Sequence, residues 1–144
     1  MQPSPKRFAA PPETLDDDPP VSAVMTPRVV AITPDAPLRT ALGLMASGRV
    51  RHLPVLDGSR CLGVLVETDL AEAVAVGGPG TVGPLARPVP MVSAGWRRSA
   101  AARAVLEGGV DAVLVTEDGR LIGILTATDL VTSLAVGAPE QATR

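Results

Sequence analysis

Apolar and polar positions along this chain follow two rhythms, one helical and one of short apolar runs, and the same succession of rhythms occurs twice. Leu38, Ala41, Leu42 and Met45 recur at helical spacing after Pro37, and Gly48 supplies a stop, so a helix is predicted there. Two apolar runs follow, Leu53 to Leu56 and Cys61 to Val66. They predict the strands of a hairpin turned at Asp57-Gly58, with a loop, Asp57 to Arg60, longer than the two-residue form. Thr68 to Val76 then reads as a helix ended by Gly77-Gly78. Ahead of these elements, SAVMTP reads as a short helical turn stopped by Pro27, and Val29 to Ile32 as a buried strand. The second half repeats the series. Val89 to Val92 is a strand, Arg97 to Glu107 a helix, Ala112 to Thr116 a strand, Glu117-Asp118-Gly119 a turn, Leu121 to Leu125 a strand and Ala127 to Val136 a helix.

The repetition extends to particular residues. GVLVETDL, Gly63 to Leu70, returns as GILTATDL, Gly123 to Leu130, with Gly63/Gly123, Leu65/Leu125, Thr68/Thr128, Asp69/Asp129 and Leu70/Leu130 identical. One structural unit is therefore used twice. Each unit is β-α-β-β-α, with three strands in each sheet, and is too small to bury both faces of that sheet alone. The expected fold is α/β (α+β), two such motifs packed about a pseudo-twofold axis. The expected division is a disordered Pro-rich leader over 1–20, motifs over 21–77 and 81–137, a linker over 78–80, and a tail over 138–144.

Composition narrows the function classes. With 46% hydrophobic residues the chain can build a core, which excludes disorder throughout. Its 13 basic and 15 acidic residues form no basic block, so no nucleic-acid partner is expected. Phe8 and Trp96 are the only aromatic residues and offer no stacking platform. Cys61 and His52 are each alone of their kind, so no internal disulfide and no zinc-type cluster is expected, and no metal or cofactor. The N-terminus lacks the apolar stretch of a signal peptide, and no run approaches the roughly 18–20 residues of a membrane span. A soluble, cytoplasmic protein without a membrane partner is expected. No Walker loop, G-x-G-x-x-G or complete nucleophile set occurs, so no enzyme is expected.

The ordered segments VMTPRVVAITPDAPLRTALGLM, RHLPVLD and GVLVETDL, followed by PVPMVSAGWRRSAAARAV, DAVLVTEDGRLIG and GILTATDL, resemble tandem CBS domains, the paired modules named after cystathionine β-synthase. The resemblance covers about Val21 to Val136. It implies binding of an adenosine-containing ligand (AMP, ADP, ATP or S-adenosylmethionine) in clefts between the halves, and signalling to a regulated protein not identified by the sequence. With no other domain in view, a stand-alone module is expected. The alternative is a ligand-free module for dimerisation or protein interaction.

Several residues are candidates for the ligand site. Thr126 and Asp129 stand where a strand hands over to a helix, so backbone N–H groups and the Thr126 hydroxyl could meet a phosphate while Asp129 accepts from ribose hydroxyls. The same two residues would also make a capping box with no ligand at all. In the first half Asp69 remains, but Val66 stands in place of Thr126 and can neither cap nor donate. Arg51-His52-Leu53-Pro54 keeps the segment whose backbone, by the resemblance, lines an adenine pocket; its counterpart, through Ala112 and Val113, lacks the proline. His52 could meet a phosphate or the adenine edge, or be structural. Thr33 and Ser93 occupy equivalent strand ends, where the resemblance implies a hydroxyl near the ligand and the residues alone read equally as turn formers. Arg97 and Arg98 open a helix, which points to an anion there or to solvent. Trp96 reads as packing and Cys61 as core. A homodimer is expected through Leu38, Ala41, Leu42 and Met45 and through Ala100, Ala104 and Val105, taken as surfaces a body of this size leaves uncovered.

Overall fold

The computed structural model describes residues 17–27 and 29–142, those from 136 on by backbone alone. In the first half, helix α1 (Leu38–Gly48) leads into the antiparallel strands β1 (His52–Asp57) and β2 (Arg60–Val66), followed by helix α2 (Glu67–Val76). In the second, strand β3 (Met91–Ser93) precedes helix α3 (Arg98–Gly108), strands β4 (Ala112–Glu117) and β5 (Arg120–Thr126), and helix α4 (Ala127–Ala142). This is the α+β architecture expected. α4 is longer than its sequence pattern, which gives out at Val136.

The runs Val64-Leu65 and Val113-Leu114-Val115 are continuously apolar because both faces of each sheet are covered. Leu65 packs under α1 and α2 with Leu38, Ala41, Met45, Leu53 and Leu70. Leu125 packs under α3 and α4 with Ala101, Val105 and Val113. The opposite faces meet between the halves, where Val64 lies with Ala112, Leu114 and Ile124.

The leading segment of each half crosses to the sheet of the other. Thr26 bridges Ile124 on β5, its N–H donating to the Ile124 carbonyl at 2.9 Å and its carbonyl accepting the Ile124 N–H at 3.1 Å. Arg87 bridges Val64 on β2 in the same way, at 2.9 and 2.8 Å. Val21 accordingly fills the second core and Val82 the first, both fully buried. The recurring glycines are explained here. A Cβ on Gly63 would collide with the Arg87 carbonyl, and one on Gly123 would stand 2.9 Å from the Thr26 carbonyl oxygen. Gly63 also holds φ at +145°, which disfavours any side chain.

Four expectations change. β3 pairs with β4 in parallel over three residues, whereas the predicted strand Val29 to Ile32 makes only one bridge, Ile32 to Val55. The reason is Pro54. Leu114 donates its N–H to the Pro90 carbonyl at 3.1 Å, and Pro54, in the matching position of β1, has no N–H to extend the ladder. The first hairpin is tighter than predicted, since Asp57 pairs with Arg60 and Gly58, at φ +66°, turns the chain.

The body also starts earlier than 21. Pro20 bridges Arg97, and Asp18 receives the Ser99 N–H at 2.8 Å and its hydroxyl at 2.7 Å. The rest of the expected leader, 1–16, lies outside the described residues, as do 143–144 of the tail. The two arginines opening α3 are thus matched by an acid from far upstream, which supplies the missing cap. Arg97 donates to the Asp18 carbonyl at 3.2 Å and Arg98 to that of Asp17. Finally, Leu38, Ala41, Met45 and Val105 are buried in their own half, so they offer no dimer surface.

Candidate functional site

Two clefts open between the halves on the side where β2 and β5 hand over to α2 and α4. The first, about 410 Å³, is lined among others by Val66, Thr68, Arg87, Val110 and Asp111. The second, about 390 Å³, is lined by Thr26, Arg49, Val50, Arg51, His52, Ile124, Thr126, Thr128 and Asp129. Arg51, His52, Thr126 and Thr128 border both.

At the head of α4 the capping box is complete. The Asp129 N–H donates to Thr126 Oγ1 at 3.1 Å and the Thr126 N–H donates to Asp129 Oδ2 at 3.0 Å. The crossing segment adds a third contact, because the Thr26 hydroxyl reaches both Asp129 oxygens at 3.1 and 3.2 Å. Capacity remains: a carboxylate offers about four lone-pair positions, and the Thr126 hydroxyl hydrogen has no acceptor among the described residues. The Asp129 carboxylate and the Thr126 hydroxyl therefore both face the second cleft with hydrogen-bonding capacity in hand.

At the head of α2 the arrangement differs. Val66 gives no side-chain cap. Asp69 is gripped by Arg87, whose Nε donates to Oδ2 at 2.7 Å and Nη2 to Oδ1 at 2.9 Å. The carboxylate raises the Arg87 guanidinium further above its ordinary pKa, chiefly through that hydrogen bond and then through charge attraction. Arg87 lines the first cleft and Asp69 does not.

The wall opposite α4 carries the cations. Arg49 takes a left-handed conformation, φ 55°, to end α1, one residue beyond the predicted stop at Gly48. Arg51 is exposed and stands 3.9 Å from Glu67. His52 Nε2 lies 2.7 Å from the Val110 carbonyl, which can only accept, so this nitrogen carries a proton and ties β1 to the second half.

Of the residues singled out from sequence, Thr126, Asp129 and His52 come together in the second cleft. Leu53, Pro54, Ala112 and Val113 are buried strand residues and line neither cleft. Thr33, after the single bridge at Ile32, donates to Asp35 at 2.7 Å, and Ser93, at the end of β3, accepts the Gly95 N–H on its Oγ at 3.3 Å, both as exposed turn contacts. Thr26, Arg87, Arg49 and Thr128 were not singled out. The signal for the first two was the segments MTP and ARP, which occupy matching places ahead of each half. Burial pushes the Cys61 thiol up, which makes it a poor nucleophile. Among the described residues no group of three or more His, Cys, Asp or Glu could hold a metal ion. No helix among them is long and apolar enough to cross a membrane.

A family model of the CBS domain matches residues 21–76 and again 82–136. The chain belongs to the CBS-domain family. It carries the domain in tandem, as a regulatory module. Among solved structures it is similar to CBSX2 of Arabidopsis thaliana in complex with AMP, at 30% identity and a TM-score of 0.67 over 87% of this chain and 98% of that one. Hypoxic Response Protein I, solved with two coordinated zinc ions, is 25% identical, with a TM-score of 0.70 over 79% of this chain and 98% of that one. A CBS domain pair solved with 5′-methylthioadenosine and S-adenosylmethionine is 20% identical, with a TM-score of 0.74 over 83% and 98%, and shares the fold.

Proposed function

We propose that this CBS pair senses an adenosine-containing ligand in the second cleft and passes the occupancy of that cleft to a partner protein. The observation that carries the reading is the opposition of Arg49, Arg51 and His52 to Thr126, Thr128 and Asp129 across one cleft. The two guanidinium groups and the helix-head hydroxyls suit a phosphate, and a carboxylate with free lone pairs suits a ribose diol. The likeness to CBSX2, solved with AMP, supports the same class of ligand. Arg49 and Arg51 favour AMP, ADP or ATP over the positively charged sulfonium of S-adenosylmethionine. The ligand bridges the halves, so its binding energy opposes their separation; this is the physical route to a signal. A cysteine unable to pair internally fits a reducing, cytoplasmic setting.

Calorimetry of the purified chain with AMP, ADP, ATP and S-adenosylmethionine tests the reading. Saturable binding of at least one nucleotide is expected, and heat from none of the four contradicts it.

A second reading, a ligand-free interaction module, draws on Leu106, Val131 and Leu134, which are 79%, 66% and 62% exposed on α3 and α4. These residues support homodimerisation under either reading. Light scattering after gel filtration checks it: a mass near twice 14.7 kDa is expected, and a monomer at micromolar concentration contradicts it.

A further inference from the structure

We infer that Arg87 limits the pair to one adenosine-type ligand per chain, held beside Asp129, by occupying the carboxylate of Asp69 that a second ligand would need; this rests on the ribose-acceptor reading above. The two carboxylates are equivalent by position, each in the TDL repeat as the third residue of its helix. Their crossing-segment partners are equivalent too, since Thr26 bridges Ile124 and Arg87 bridges Val64 through the same pair of backbone hydrogen bonds. Only the side chain differs. A threonine hydroxyl is neutral, gives one hydrogen and leaves the carboxylate charged and partly free. A guanidinium covers both oxygens with parallel bonds, cancels the charge and puts five N–H groups, all donors, where a diol seeks an acceptor. The clefts differ accordingly, with Asp129 on the wall of the second and Arg87, not Asp69, on that of the first. Val66 weakens the first cleft as well, so the contribution of Arg87 has to be isolated from it.

The test is AMP stoichiometry by calorimetry on the full chain. The unaltered protein is expected to bind one AMP. Val66→Thr restores the hydroxyl but keeps Arg87, and is expected still to bind one. Val66→Thr with Arg87→Thr, which repeats the Thr26 contact, is expected to bind two. Arg87→Thr alone should give a second site about ten- to a hundredfold weaker, the effect of one missing hydrogen bond to a charged group. Arg87→Gln in place of Arg87→Thr keeps the stem of the side chain and is expected to act alike, which guards against a folding defect. Both Arg87 replacements leave the backbone pairing with Val64 in place. The same proteins are then measured with Asp129→Ala, where only the first cleft can respond. Binding that appears there on Arg87 replacement supports the inference even if the unaltered chain binds nothing, in which case the reading of the second cleft fails alone. Two sites in the unaltered or Val66→Thr protein, or no gained site after both replacements in either background, overturns the inference.

Discussion

Arg87 and Asp69 are joined by two hydrogen bonds, at 2.7 and 2.9 Å, across a gap that its pseudo-symmetric counterpart closes with a single threonine hydroxyl, that of Thr26 on Asp129. The pair is half open to water, with side-chain exposures of 51% and 21%, so its importance lies in what it covers more than in stability. The two halves therefore share a fold and differ in chemistry at the equivalent carboxylates Asp69 and Asp129.

The crossing segments make a prediction about the repeat glycines. Gly63→Ala is expected to destabilise strongly, because the new methyl group meets the backbone of Arg87 and the residue holds φ at +145°. Gly123→Ala should cost less. Its nearest obstacle, the Met25 sulfur at 2.5 Å, sits on a flexible side chain, although the Thr26 carbonyl also has to shift. Urea midpoints of the two variants check the order, and equal losses would contradict the account.

The cores predict their own substitutions. Leu65 and Leu125 are fully buried at matching places in β2 and β5, so either Leu→Ala change should cost about 2–5 kcal/mol. Chemical denaturation reads this directly. A loss under about 1 kcal/mol would mean that the site collapses around the cavity.

Asp18 predicts a pH dependence. Its carboxyl is held below the ordinary value of 3.8, first by the Ser99 hydroxyl and then by the Ser99 N–H, with a smaller contribution from Arg98 and Arg97. A lowered folded-state pKa means that this contribution is present above the unfolded value and is lost as pH falls through the folded one. The unaltered chain should thus lose its advantage over Asp18→Ala on acidification below about pH 4. Melting temperatures of both proteins from neutral pH downward check this. Removal of residues 1–19 should also lower the melting temperature at neutral pH, since it takes Asp18 away.

Much of the fold was legible because the repeat and the apolar runs report on local spacing. Leu65 and Val64, or Leu125 and Ile124, announce a sheet covered on both faces by lying side by side. The contacts that distinguish the clefts were not legible, because they join residues far apart in the chain. Thr26 meets Asp129 across 103 positions and Arg87 meets Asp69 across 18, and away from the clefts Asp18 likewise meets Ser99 across 81. The Leu38, Ala41 and Met45 stripe misled for a related reason: periodicity says that a face is buried, not against what. Pro54, expected as part of a ligand-lining segment, is also informative about pairing, since its missing N–H shortens the sheet.

The most direct measurement of the central claim is thermal melting with AMP on the unaltered chain, Asp129→Ala and Asp69→Ala. At about 100 times the dissociation constant the ligand should add roughly 2.7 kcal/mol, a rise of several degrees. That rise is expected in the unaltered chain and in Asp69→Ala, and its disappearance in Asp129→Ala. A rise kept by Asp129→Ala and lost by Asp69→Ala would contradict it.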